Sequence, residues 1–188
     1  RDPSGLLVLF GFRVALSRED PEGAVRWLDA AATAQLSSQW WFQPVDLLRA
    51  QADLLAARPL ECRRRASAAR ALLEAELRAR PADHRLHAAL GVAHALLGGN
   101  DDALRSARKS VELMPRSKDA WLYLRNLEDL ARVCTMTGRH DEAIGHLETL
   151  LELSGEMTPH VIRLDPGFAP LRGHPGLAPL LARWEVRP

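Results

Sequence analysis

The stretch "LHAALGVAHALLGGNDDALRSARKSVELMP", residues 86–115, decides the fold of this chain. Apolar residues recur in it with the period of an amphipathic helix, and Gly98-Gly99-Asn100 interrupts the pattern near its middle. The stretch therefore predicts two helices joined by a tight turn. Small residues where the two helices face each other allow their axes to approach closely, and these are Gly91, Ala103 and Ala107.

The composition is that of a folded chain with little net charge. Of 188 residues 47% are apolar, which suffices for a core, and the formal net charge is only +1. Such a balance creates no overall attraction to nucleic acid or to an anionic membrane. The longest apolar run, residues 6–16, is interrupted by Arg13 and falls short of the roughly 20 residues that span a bilayer. We therefore expect no nucleic-acid partner and no membrane span.

Two further features concern the setting of the chain. Cys62 and Cys134 stand far apart in helical contexts, which suits a reducing compartment, so we expect buried thiols and a cytoplasmic location. The chain begins with Arg1 rather than Met, and we therefore expect it to be part of a longer protein.

Helical periodicity extends over almost the whole chain, and no run of four or more residues alternates as a strand does. Breakers separate eight segments, which we expect to form four helical hairpins at about residues 4–35, 44–80, 84–115 and 118–154. An alanine recurs in the second helix of each hairpin, at Ala24, Ala69, Ala103 and Ala143, with spacings of 45, 34 and 40 residues. The pattern predicts an all-α repeat array over residues 1–157.

Residues 84–117 resemble a tetratricopeptide repeat (TPR), in which W-x2-L-G-x2-Y is followed by A-x3-F and P over about 34 residues. The resemblance implies a right-handed α-solenoid of about four hairpins that bury their apolar faces by stacking. Histidines replace both aromatic residues of the pattern. The residues expected to pack between helices are His87, Leu90, Gly91, His94, Ala103, Ala107 and Pro115.

The fourth hairpin follows the same pattern with extra length. The match fails at Arg125 and Glu128 and is restored after a shift of six residues, which predicts a first helix longer by more than one turn. The packing residues expected here are Trp121, Leu124, Ala131 and Ala143.

After residue 157 prolines recur, and we expect a short helical cap over residues 158–188. Thr158-Pro159 and Asp165-Pro166 each pair a capping residue with a proline suited to a first helical position, and His174-Pro175 is a candidate third start. The inward side chains expected are Val161, Ile162, Leu164, Phe168 and Leu171. The segment resembles the tail "LRLDPxFxPLRxHPxFxxLL" that follows TPR arrays in bacterial signalling proteins, where kinase, cyclase or DNA-binding regulator domains are attached.

The resemblance implies that first helices line a concave surface that binds protein or peptide segments. The residues expected there are Arg85, Val92, Leu122, Arg125, Asp129, Arg132 and Met136. Helical spacing also predicts ion pairs of Asp129 with Arg125 and Arg132. We expect joint replacement of Arg125 and Arg132 by alanine to weaken partner binding and leave the thermal midpoint nearly unchanged.

No catalytic or cofactor-binding motif is found, so a non-catalytic scaffold without cofactor or metal is expected. His84, His87 and His94 have helical spacing, but two of them occupy packing positions and no Cys stands near, so packing is favoured over a metal site. The run Arg63–Arg65 is mixed with acidic residues around its helix, which favours a solvated face over nucleic-acid binding. A groove-based enzyme or metal site is the less favoured alternative.

The connector "SSQWWFQP", residues 37–44, holds three aromatic residues. We expect them to wedge between the first two hairpins rather than to contact a ligand. If they are exposed together, they form an apolar patch that needs a partner. The connector, or Trp184, is accordingly the contact expected for an alternative function, self-association of the chain as a homodimer.

Overall fold

The computed structural model describes residues 5–31, 33–153 and 157–185, and within these ranges the chain is predominantly helical, as predicted. The helices are α1 (Leu6–Ser17), α2 (Pro21–Asp29), α3 (Val45–Leu55), α4 (Pro59–Ala79), α5 (His84–Leu97), α6 (Asn100–Leu113), α7 (Ala120–Met136), α8 (His140–Leu153), α9 (Pro159–Leu164) and α10 (Leu177–Glu185), with a 3-10 helix (Pro166–Leu171) before α10. Residues 4 and 154, the outer limits expected for two hairpins, and residues 186–188 of the expected cap lie outside the described residues.

Residues suited to capping stand at several helix ends. The Asp20 carboxylate accepts a hydrogen bond from Gly23 N at 2.8 Å, and the Asp119 carboxylate accepts one from Leu122 N at 2.9 Å. Gly98 and Gly138 follow α5 and α7 in the left-handed conformation, with φ of +82° and +75°. Helix ends are thus set by local chemistry that the sequence displays.

Helices α1 to α8 pack as consecutive pairs, and each pair lies within one of the expected hairpin ranges. In the α5–α6 pair a Cβ placed on Gly91 would lie 3.0 Å from Ala107 Cβ and 3.1 Å from Ala103 O. The small residues therefore allow a contact so close that a larger side chain at position 91 would require its neighbours to shift.

The extra length of the fourth hairpin is distributed rather than confined to its first helix. Helix α7 has 17 residues and α5 has 14, so the helix gains less than the full turn expected. The remaining residues lengthen the connection before α7 (residues 114–119) and the turn after it (residues 137–139). The prediction of a helix longer by more than one turn is therefore wrong, although the extra length itself is present.

The aromatic connector forms a short antiparallel hairpin of β1 (Gln35–Ser37) and β2 (Phe42–Pro44). Each strand has only three residues, so the search for runs of four or more alternating residues did not find them. Phe42 is fully buried in the main core, and Trp41 packs against the core that includes α1, α2 and α3. Trp41 thus lies against a core shared by the first two hairpins, as expected, whereas Phe42 packs with the second and third hairpins and Trp40 is exposed.

Two cores meet at α3. Leu48 packs with α1 and α2, whereas Leu47 belongs to a larger core that continues through α4–α8 to α10. None of the described helices has the length and apolarity needed to span a bilayer. Cys62 and Cys134 are buried and unpaired.

The cap begins as predicted, with Thr158 accepting a hydrogen bond from Val161 N and Asp165 accepting one from Gly167 N. The third helix starts at Leu177, two residues after the expected proline. Ile162, Phe168 and Leu171 are buried, but Val161 and Leu164 are exposed, contrary to expectation. Helix α9 has six residues and packs on one side only, so it cannot bury both of its faces. Val161 and Leu164 lie on the outer face.

Candidate functional site

A groove of about 450 Å³ lies between α1, α7 and the start of α9. Its lining residues are Phe10, Arg13, Trp121, Leu124, Arg125, Glu128, Leu150, Met157 and Val161. Phe10 is 59% exposed, and Trp121 and Val161 are each 39% exposed. Apolar side chains open to solvent in a concavity are typical of a site that binds another molecule.

Helix α1 supplies one wall because it is apolar on two sides. Leu9, Phe12 and Leu16 are buried against α2 and α3. The large residues Leu7, Phe10 and Val14 follow one another at helical spacing on the other side and are exposed. A surface helix ordinarily presents polar residues on its outer face, so this apolar stripe needs an explanation.

Glu128 anchors a charged cluster at the floor of the groove. Its carboxylate accepts hydrogen bonds from Arg132 at 2.5 Å and from Arg125 at 2.8 Å, and Arg13 of α1 lies 3.5 Å away. Burial alone raises the pKa of Glu128, but the Arg132, Arg125 and Arg13 charges outweigh it and lower this pKa from 4.5 to about 2. Glu128 is therefore a carboxylate at all ordinary pH values.

Asp129 does not make the expected ion pairs with Arg125 and Arg132, because both arginines bind Glu128 instead. Helical spacing permits either carboxylate, and Arg13 of α1 adds a third guanidinium 3.5 Å from Glu128. Burial and the neighbouring Glu128 charge raise the pKa of Asp129.

Arg132 joins α7 to the cap. Its Nη1 lies 2.6 Å from Asp165 Oδ2, and its guanidinium lies 5.0 Å from the centre of the Phe168 ring. Arg132 was expected to contact a partner, but its side chain contacts Glu128, Asp165 and Phe168 of the same chain.

Arg85 and Val92 lie away from the groove. Arg85 binds the Asp83 carboxylate at 2.6 and 2.9 Å and also donates to the carbonyl oxygen of Ser38 in the connector. Val92 is buried in the main core. Arg85 therefore contacts the connector at the start of α5 instead of facing a partner, and Val92 is covered by the core.

The remaining residues of the expected surface divide between two places. Leu122 lines a separate shallow depression beside Gln39, and Met136 is half-buried at the far end of α7. Only Arg125 lines the groove itself.

Trp121, expected to pack between helices, forms part of the rim of the groove. Its ring lies 5.7 Å from Trp40 of the connector in an edge-on arrangement, and Arg125 lies 5.9 Å from its ring centre. The aromatic connector therefore reaches the edge of the groove.

The histidines of α5 have separate hydrogen-bond partners. Asn126 donates through Nδ2 to Ser110 O at 3.0 Å, so its Oδ1 accepts from His84 Nδ1 at 3.1 Å. His87 Nε2 lies 2.9 Å from Pro81 O, and burial lowers the pKa of His94. Nothing in this arrangement brings the three rings to a common ion.

The basic run of α4 is largely neutralised. Arg65 lies 3.0 Å from the buried Asp53, and Arg64 lies 2.7 Å from Glu61. Arg63 alone is a poor basis for a nucleic-acid site.

Sequence reasoning missed the contribution of α1, in particular Phe10 and Arg13. The available signal was an arginine inside an apolar run, since a charge in such a position needs an acidic partner.

The chain matches no protein-family model, and no curated protein or solved structure matches it either.

Proposed function

We propose that this chain is a non-catalytic protein-interaction module of the TPR type, whose groove between α1 and α7 binds a peptide segment of a partner protein. The hairpins of this module stack as a right-handed α-solenoid closed by the proline-rich cap. The observation that carries the proposal is the groove, in which exposed Phe10, Trp121 and Val161 surround a charged floor.

The chemistry of the groove favours a segment that combines apolar side chains with a carboxylate. Arg13 and Arg125 retain 37% and 24% exposure of their side chains, whereas the Glu128 between them retains 9%. The charge that faces solvent is therefore positive. A partner carboxylate pairs with the outer edges of these guanidinium groups while its apolar neighbours cover Phe10 and Trp121.

The proposed setting is the cytoplasm of a bacterium, where the module is one part of a larger signalling protein. This setting is supported by the sequence of the cap and by two buried, unpaired cysteines. In this setting, binding of a partner in the groove holds an attached regulatory domain close to its target.

Selection of short random peptides on the intact chain, followed by titration of the selected peptides, tests the proposal. We expect the peptides to share apolar and acidic residues, and Phe10→Ala to weaken binding at least tenfold. Leu60→Ala is the matched control, because Leu60 is an exposed apolar residue on α4, outside the groove. Peptides that bind both variants equally would refute the assignment of the groove.

One observation favours a second candidate function, self-association. The exposed stripe Leu7, Phe10 and Val14 is suited to packing against a second copy, whereas Trp184 packs against the main core. Light scattering over a range of concentrations measures the molecular mass and so separates the two functions. A dimer that is lost in Val14→Glu supports self-association.

A further inference from the structure

The turn between α7 and α8 brings together three side chains of different chemistry. The ligand atoms of Cys134, Glu142 and His146 all lie within 4.8 Å of one another. Glu142 and His146 stand one turn apart on α8, and Cys134 faces them from the end of α7. The sequence search missed this set because the residues are eight and twelve positions apart across a hairpin.

We propose that Cys134, Glu142 and His146 form a binding site for a thiophilic divalent cation of the zinc class. Thiolate, imidazole and carboxylate are the three ligand types that zinc accepts in proteins. Three protein ligands leave a fourth position for water.

The carboxylate is already oriented. Arg108 of α6 donates to Oε2 of Glu142 at 2.7 Å, and Arg139 donates to Oε1 from both Nε and Nη2, at 2.8 and 2.5 Å. Each carboxylate oxygen has two lone pairs, so one on Oε2 remains for a cation. Hydrogen-bonded carboxylates of this kind are common among metal ligands, because the outer contacts hold the ligand in place.

Cys134 binds a cation as the thiolate. The cation forms a bond to Sγ as the S–H bond breaks, and the proton passes to solvent.

The site opens toward solvent on the α8 side. Glu142 retains 33% exposure of its side chain, and among the described residues no atom outside helix α8 lies within 4 Å of the Cβ position of the neighbouring Gly145. The charged groups around the thiol are Glu142, Arg108 and Arg139. The thiolate and the carboxylate supply two negative charges to a divalent cation, and the two arginines, which pair with the carboxylate, oppose it.

Titration of the intact, reduced chain with cobalt(II) chloride tests the proposal, because a cobalt–thiolate bond produces an intense near-ultraviolet absorption. We expect saturation at one equivalent and displacement by zinc. No absorption at saturating cobalt overturns the proposal, and so does absorption that zinc does not displace.

Variants identify the ligands. Cys134→Ala is expected to abolish the absorption, and His146→Gln to weaken cobalt binding at least tenfold. The controls Cys62→Ala and His140→Gln are expected to retain it, since neither residue belongs to the cluster. Absorption that persists in folded Cys134→Ala, or that is lost in Cys62→Ala, contradicts the assignment. If Cys134→Ala does not fold, His146→Gln decides the outcome, because cobalt affinity equal to that of the unmodified chain contradicts the assignment.

Discussion

Arg132 Nη1 lies 2.6 Å from Asp165 Oδ2, and the same guanidinium lies over the ring of Phe168. Asp165 also accepts a hydrogen bond from Gly167 N at 2.8 Å and so starts the 3-10 helix. The Asp165 carboxylate thus starts the 3-10 helix of the C-terminal segment and also joins this segment to α7. This relationship gives a physical role to the Asp-Pro and Phe residues of the tail.

Arg132→Ala is expected to lower the free energy of unfolding by about 3 kcal/mol, because it leaves Glu128 and Asp165 with less charge compensation in a buried cluster. Urea unfolding measures the change. Arg183→Ala is the matched control, since its pair with Glu148 is exposed and worth less than about 1 kcal/mol. Equal losses in the two variants would contradict a structural role for Arg132. The expected result also differs from the unchanged midpoint that the sequence alone predicts.

Glu128 is expected to make the chain sensitive to acid. Its pKa is lowered in the folded state to about 2, so its contribution to stability is present above the unfolded pKa near 4.5 and is lost as pH falls toward 2. Glu128→Gln removes this contribution and costs about 3 kcal/mol at pH 7. Unfolding at several pH values measures both chains, and their difference is expected to shrink below pH 4.5. A difference independent of pH would contradict the assignment.

The helices could be predicted from the sequence because their signals are local. Gly98, Asp119 and Asp165 stand beside the ends that they cap, and Gly91 lies within one hairpin of the alanines it contacts. The groove could not be predicted in this way. Arg13 and Glu128 are 115 positions apart, and periodicity carries no information about which distant helices meet.

The choice between neighbouring carboxylates was also beyond the sequence. Glu128 and Asp129 have equally suitable spacing from the arginines of α7, and the decision depends on Arg13 from α1. The strands of the connector are hidden for a different reason, since three residues are too few to show a period.

Asp129→Asn is expected to stabilise the chain at neutral pH. Burial and the Glu128 charge raise the pKa of Asp129, so its ionised form is disfavoured in the folded state. Stability from this group is complete below its unfolded pKa and is lost as pH rises through the folded one. Thermal midpoints of both chains at pH 7 and at pH 4 measure the effect, with a larger gain expected at pH 7. A lower midpoint at pH 7 would show that Asp129 supports the arginines instead.

Two helical glycines are expected to respond in opposite directions to alanine. No atom of the described residues outside helix α8 lies within 4 Å of the Cβ position of Gly145, so Gly145→Ala gains helix propensity and stabilises by up to about 1 kcal/mol. Gly91→Ala brings a methyl group to 3.0 Å from Ala107 Cβ and 3.1 Å from the Ala103 carbonyl oxygen. The two helices must then move apart, which lowers the free energy of unfolding by about 1 to 3 kcal/mol. This loss is expected to exceed the gain in helix propensity that alanine brings. Urea unfolding of the two variants decides the matter, because stabilisation of both would show that the α5–α6 contact tolerates expansion and that Gly91 is not needed for close packing.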